Sequence, residues 1–176
     1  MTDLPTRKRL WEVLDYDPAT GIFVWKDRPE RPRWSGRFAN YVAGSVHNNG
    51  YWAISIDKTK YLAHMLAWLA FYGEWPDRFI DHKNLDKRDN RISNLRLADF
   101  TENSINSSIR NDNTSGYRGV YFEKRRQRWI AYVARNGVRQ CSGHFREKQD
   151  AVAAHAKMAQ QLYGDFCPHY LMEVQE

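Results

Sequence analysis

The sequence predicts an α+β chain made of two small modules, and three observations carry that prediction. The first is a change of period: short strand-like runs up to residue 56 give way to a helical apolar stripe over 61–72. The second is Asn111-Asp112-Asn113-Thr114-Ser115-Gly116, a polar cluster without periodicity that marks a boundary. The third is charge. Between residues 110 and 148, ten Lys/Arg stand against three Asp/Glu, a net of +7, whereas the whole 176-residue chain carries only +6.

The elements follow in order. Residues 4–14 read as a short helix, with Leu10, Val13 and Leu14 at helical spacing, and 15–21 read as a turn. Residues 22–25 are strand-like, 28–37 form a basic, proline-bearing loop, and 44–46 and 51–56 flank an Asn48-Asn49-Gly50 hairpin turn. A core helix spans 61–72 and ends at Gly73. An apolar segment closing on Asp81-His82 begins a short hairpin, and Asp99-Phe100-Thr101-Glu102 is a capping-box-like start for a helix over 100–109, with Asn103 in its first turn and Ser107 one turn later. In the second half, strands over 119–123, 129–135 and 139–145 are joined by turns at 125–126 and 136–137. A helix over 148–163 with Ala151, Ala154, His155, Met158 and Leu162 on one face closes the chain's second module at Gly164. By alternation Trp129, Ala131 and Val133 face that helix, and Ile130, Tyr132 and Ala134 face outward.

A hydrophobic content of 42 % is enough for a core, and no run approaches the roughly 20 apolar residues of a membrane span. No membrane partner is expected, and a polar N-terminus without a signal-peptide core points to the cytoplasm. The two cysteines, Cys141 and Cys167, exclude a disulfide scaffold and a CxxC zinc pair, and both are expected to be buried thiols. Cationic charge interleaved with Trp and Tyr is the footprint of a nucleic-acid surface.

The chemistry-bearing stretch runs from Asp81-His82 through Asn94 to Asn103. A carboxylate, an imidazole and two carboxamides can hold one hard divalent cation beside a general base, a set suited to phosphodiester hydrolysis. His64 lies on an apolar helix and reads as a core histidine, as do His47, His144 and His155.

Asp81-His82, with Asn94 twelve residues after the histidine and Asn103 nine further on, resembles the HNH nuclease ββα-metal (His-Me finger) motif in its phage and homing-endonuclease form. The flanking Leu62-Ala63-His64-Met65-Leu66-Ala67-Trp68 and Asp89-Asn90-Arg91-Ile92-Ser93-Asn94-Leu95-Arg96 agree, so the likeness covers about 44–110. It implies that Asp81 and Asn103 ligate the metal, that His82 is the general base, and that Asn94 braces the loop and orients His82. Oxygen donors favour Mg²⁺ or Mn²⁺ over Zn²⁺, since Asn103 and Ser107 stand where many members carry histidines.

Ser115-Gly116-Tyr117-Arg118-Gly119-Val120-Tyr121, Arg128-Trp129-Ile130-Ala131 and Gly143-His144-Phe145 are similar to an AP2 DNA-binding domain, a three-stranded antiparallel sheet packed on one helix. That resemblance implies double-stranded DNA as partner, with Arg118 and Arg139 at base edges and Tyr132 on the DNA side. Lys124, Arg125, Arg126, Arg128 and Arg135 read as phosphate contacts. The domains expected are a nuclease domain over 1–110, its core motif at 61–110, and an AP2-like domain over 111–170. The function expected is a metal-dependent DNA endonuclease of homing or nicking type; the alternative is a non-catalytic DNA-binding regulator that keeps a nuclease fold. One active site per chain leaves monomer and homodimer both open, and no obligate protein partner is evident.

Overall fold

The computed structural model describes residues 4–107, 109 and 111–168. Its compact units are a first one of residues up to 82 with 86–97, and a second one of 83–85 with 98 onward.

The first unit opens with α1 (Arg7–Val13), whose N-cap Thr6 accepts a hydrogen bond from the Arg9 amide at 3.1 Å. That cap starts the helix later than expected, and the chain leaves it at Leu14 to pair as β1 (Leu14–Asp17) with β2 (Ile22–Trp25). Residues 18–21 form the expected turn, but 15–17 are strand: Leu14 and Tyr16 are buried and alternate with exposed Asp15 and Asp17. The basic loop over 28–37 likewise contains a helix, α2 (Pro32–Phe38), with the proline in the first turn, where its missing N–H costs nothing. Arg28 anchors α2, exchanging backbone hydrogen bonds with the Ser35 hydroxyl and lying 4.2 Å from the Trp34 ring centroid.

β3 (Ser45–Val46) and β4 (Trp52–Ile56) form the expected hairpin, and β5 (Thr59–Leu62) extends it into a three-stranded antiparallel sheet ordered β3-β4-β5. The turn between β4 and β5 places both Asp57 and Lys58 at positive φ, a conformation that glycine or asparagine usually signals. The core helix α3 (Ala63–Tyr72) begins after β5 and stops at Gly73, whose φ of 89° provides the left-handed cap. It is buried almost all round, so its position is fixed by contact with Leu10, Leu14, Phe23, Ile54 and Leu95 rather than by one apolar stripe. β6 (Phe79–His82) pairs with β7 (Leu95–Ala98) after a 3₁₀ turn at Ile92–Asn94.

The second unit begins with α4 (Phe100–Ile105). Its capping box is complete: the Asp99 side chain accepts from the Glu102 amide and the Glu102 side chain from the Asp99 amide, each at 2.8 Å. The helix is shorter than the expected 100–109, because Asn106 turns out of it and the Ser107 hydroxyl takes the Ser104 carbonyl at 2.9 Å. Ser107 therefore lies beyond the helix rather than on its face.

β8 (Val120–Glu123), β9 (Arg128–Arg135) and β10 (Val138–Phe145) form an antiparallel sheet with β9 central, and α5 (Lys148–Tyr163) packs on one side. Ala131 and Val133 face α5 as alternation requires, against Ala151, Val152, Ala156 and Ala159. The deepest stripe of α5 thus runs through Val152, Ala156 and Ala159, with Met158 and Leu162 at its border. Ile130, expected to face outward, is buried on its own side of the sheet, in register between Tyr121 and His144. Cys167 is buried, but Cys141 is exposed, as is His144. His47 is half-buried beside Asn49, so neither it nor His144 is a core histidine. No helix among the described residues is long and apolar enough to cross a membrane.

Candidate active site

Asp81 and His82 occupy the end of β6, and both are 4 % exposed. Burying a carboxylate requires a partner, and Arg96 on β7 supplies it, with Nε at 2.8 Å and Nη2 at 2.7 Å from Asp81 Oδ2. The pair is itself nearly dry, the Arg96 side chain being 13 % exposed. Arg96 escaped sequence reasoning. The signal was there in principle, because β7 is the strand that pairs with β6.

His82 Nε2 stands 3.4 Å from Asn90 Oδ1. The Asn90 amide nitrogen donates to the Arg88 carbonyl at 3.0 Å, which fixes the orientation assigned to this carboxamide and turns its oxygen toward the imidazole. In that orientation Asn90 Oδ1 accepts from the Nε2–H of His82. Burial lowers the His82 pKa, opposed by the Asn90 contact and by Asp81, Asp89 and Asp86, so the ring is neutral at pH 7 and competent as a base. Asn94 Nδ2 donates to the Asp89 carbonyl at 2.9 Å and closes the loop from within. Asn90 was read only as flanking text.

Asn90 is in turn held from the N-terminal hairpin. Tyr16 donates its buried hydroxyl to the Asn90 carbonyl at 2.8 Å, and the Ile92 amide donates to the Pro18 carbonyl at 3.2 Å. Gly21, at φ 74°, lies so close to the Asn90 and Arg91 backbone that any Cβ there would collide with it. On the other flank Lys87 sits 4.7 Å from the Tyr51 ring centroid and donates to the Asn49 carbonyl at 3.1 Å, joining the β3–β4 turn to the same loop.

Two aromatic side chains wall His82. Tyr51 lies 5.8 Å from it and His64 5.1 Å, between ring centroids. His64 is buried as expected, but its Nδ1 has no hydrogen-bond partner, and burial together with His82 pushes its pKa down to about 3. It is an uncharged packing ring at every pH near neutrality.

Asn103 lies exposed on α4, in the second unit. Of the expected DNA-facing side chains, Lys124 and Arg125 are exposed at the β8–β9 turn, Arg126 pairs with Glu123 at 3.2 Å, and Arg128 donates to the Gln127 carbonyl. Arg139 lies 4.9 Å from the Tyr132 ring centroid. Two arginines are committed elsewhere: Arg135 donates to the Leu162 carbonyl near the end of α5 at 2.7 Å, and Arg118 to the carbonyl end of α4.

Comparison with known proteins now has a structure to rest on. The HNH endonuclease family profile matches residues 61–105, the stretch from the end of β5 through α4. "Protein 3.8" of Escherichia phage T7 is 33 % identical over 104 residues, 58 % of this chain and 85 % of that protein. The chain belongs to the HNH endonuclease family. A second relative, "Uncharacterized HNH endonuclease L560" of Acanthamoeba polyphaga mimivirus, is 31 % identical over 120 residues, 67 % of this chain and 61 % of that protein. No solved structure gives a significant match.

HNH nucleases act on DNA and generally use a divalent metal. Among the described residues no group of three or more His, Cys, Asp and Glu is placed to hold a metal ion. The Arg96 guanidinium pairs with Asp81 Oδ2, so an ion bound at that carboxylate would share it with the guanidinium.

Proposed function

We propose that the protein is a metal-dependent DNA endonuclease of the phage homing or nicking type, directed by its C-terminal sheet. The observation that carries the catalytic half is the His82 environment. A buried, neutral imidazole, oriented by Asn90 and adjacent to the Asp81 carboxylate that pairs with Arg96, is suited to take a proton from water as that water attacks phosphorus. Asp81 and Asn103 are the oxygen ligands, and Asn94 keeps the loop closed. A bound Mg²⁺ or Mn²⁺ supplies electrostatic stabilisation of charge on the phosphate oxygens. Around it, the chain's own residues hold the base neutral, fix its tautomer and exclude bulk water from its inner side.

The addressing half rests on the sheet of β8, β9 and β10 backed by α5, the arrangement expected of an AP2 domain. Lys124, Arg125, Arg126 and Arg128 gather on or beside the β8–β9 turn, where they suit phosphate contacts, and Arg139 with Tyr132 offers a cation and a ring on the outward side. Double-stranded DNA is the partner this chemistry fits. The protein acts on its substrate in the cytoplasm, that of the bacterial host if it is phage-encoded.

The test is purified protein incubated with supercoiled plasmid and Mg²⁺, Mn²⁺ or Zn²⁺. Nicked or linear product is expected with the first two, and His82→Ala should retain DNA binding while losing cleavage. Undiminished cutting by His82→Ala removes that residue from the mechanism; binding without cleavage by the wild type under every metal favours a regulator.

A further inference from the structure

α4 has six residues, too few for an isolated helix to be stable. Its N-terminus is fixed by the Asp99–Glu102 capping box. Its C-terminus is fixed by a residue from fourteen positions further along: Arg118 Nη1 donates to the Ser104 carbonyl at 2.7 Å, to the Ile105 carbonyl at 3.1 Å and to the Ser107 hydroxyl at 2.6 Å. A guanidinium there satisfies carbonyls that have no helical donor and sits at the negative end of the helix dipole. Arg118 is itself anchored, because the next residue, Gly119, accepts from the Tyr132 amide at 2.8 Å and so joins the strand system at β9.

We propose that Arg118 is a positioning residue for the cation-binding helix: this side chain ties α4, and thereby Asn103, to the C-terminal sheet. The inference rests on the reading of Asn103 as a cation ligand. It reassigns Arg118 from base reading to support of the catalytic centre. The sheet then supports α4 as well as the protein's address on DNA.

The experiment compares wild type, Arg118→Ala, Arg118→Lys and Ser107→Ala by amide hydrogen exchange and by Mn²⁺ titration of the full-length protein without DNA. Arg118→Ala should raise exchange at the amides of residues 103–106 about tenfold and weaken Mn²⁺ binding about tenfold, the lower end of what outer-shell partners contribute. Arg118→Lys, which keeps the charge but not the fork, should recover part of both, and Ser107→Ala should loosen α4 less. If Arg118→Ala does not fold, the other two variants carry the test. Unchanged exchange in α4 overturns the proposal, as does a loss of DNA affinity with exchange and Mn²⁺ binding intact. Wild-type protein that binds no Mn²⁺ overturns the cation reading, and with it the catalytic half of the proposal, while the exchange comparison still decides whether Arg118 holds the helix.

Discussion

The His64 ring stands edge-on to the His82 ring, centroids 5.1 Å apart and planes at 88°. Tyr51 touches both, 5.0 Å from His64. Two rings thus wall the candidate base. Truncating His64 opens a void beside His82, so His64→Ala should cost about 2–4 kcal/mol of stability, by the precedent of large-to-small core changes, and reduce nicking through a misplaced base. Thermal denaturation and plasmid nicking at matched temperature check both; an unaltered midpoint would mean that the ring carries no packing role.

Asn90 should matter more to catalysis than its place in a charged loop suggests. Asn90→Ala removes the acceptor that fixes the His82 tautomer and is expected to lower nicking by one to two orders of magnitude with little change in DNA affinity. Tyr16→Phe removes only the hydroxyl that holds the Asn90 carbonyl, so a loss of about 1–2 kcal/mol in stability and a smaller fall in rate are expected. Imidazole ¹⁵N spectra of the wild type should show His82 protonated at Nε2. A proton on Nδ1 would contradict the orientation derived from Asn90.

Arg96→Met should be severely destabilising, by roughly 3–5 kcal/mol, since it leaves the buried Asp81 carboxylate without its cation. Adding Asp81→Asn to Arg96→Met should restore much of that loss, while cleavage stays absent. Urea denaturation of the two single variants and the double variant supplies the cycle. Simple additivity would show that the pair is not coupled.

His155 makes stability depend on pH. It is buried on α5, and burial with the nearby Arg118 charge pushes its pKa down to about 4 from an ordinary 6.5. The unfolded chain therefore binds a proton that the folded chain refuses between those values. The stabilisation is complete above about pH 6.5 and is lost as pH falls toward 4. The full gap corresponds to roughly 3 kcal/mol. His155→Leu should flatten this part of the profile in denaturation curves taken from pH 7 to 4; an unchanged slope would place the dependence on other groups.

The secondary structure was legible wherever one signal dominated. The Asn48-Asn49-Gly50 turn, the Gly73 stop and the Asp99–Glu102 box all appear where the sequence places them. It was misread where a tertiary contact overrides local preference. β1 exists because Leu14 and Tyr16 find a buried side, and β5 exists because Asp57 and Lys58 accept a strained turn. The candidate site divides in the same way. Asp81, His82 and Asn94 could be picked out by residue type and spacing, whereas Arg96, Asn90, Tyr16 and Tyr51 act through partners at least eight residues away in sequence. No local pattern contains such a pairing. Arg118 is the instructive case: its residue type suggested DNA, whereas its guanidinium bonds to the Ser104 and Ile105 carbonyls at the end of α4.

Gly21 sets a limit on how this nuclease can be handled as a part. Its backbone meets that of Asn90 and Arg91 with no room for a side chain, and Pro18 and Tyr16 bond to the same short stretch. The family-defining segment of 61–105 is therefore not a transplantable cassette. A chimaera that moves it to another host protein without the β1–β2 hairpin would carry the recognisable residues but not the support that aligns them, and randomising position 21 in such a graft should return glycine almost exclusively.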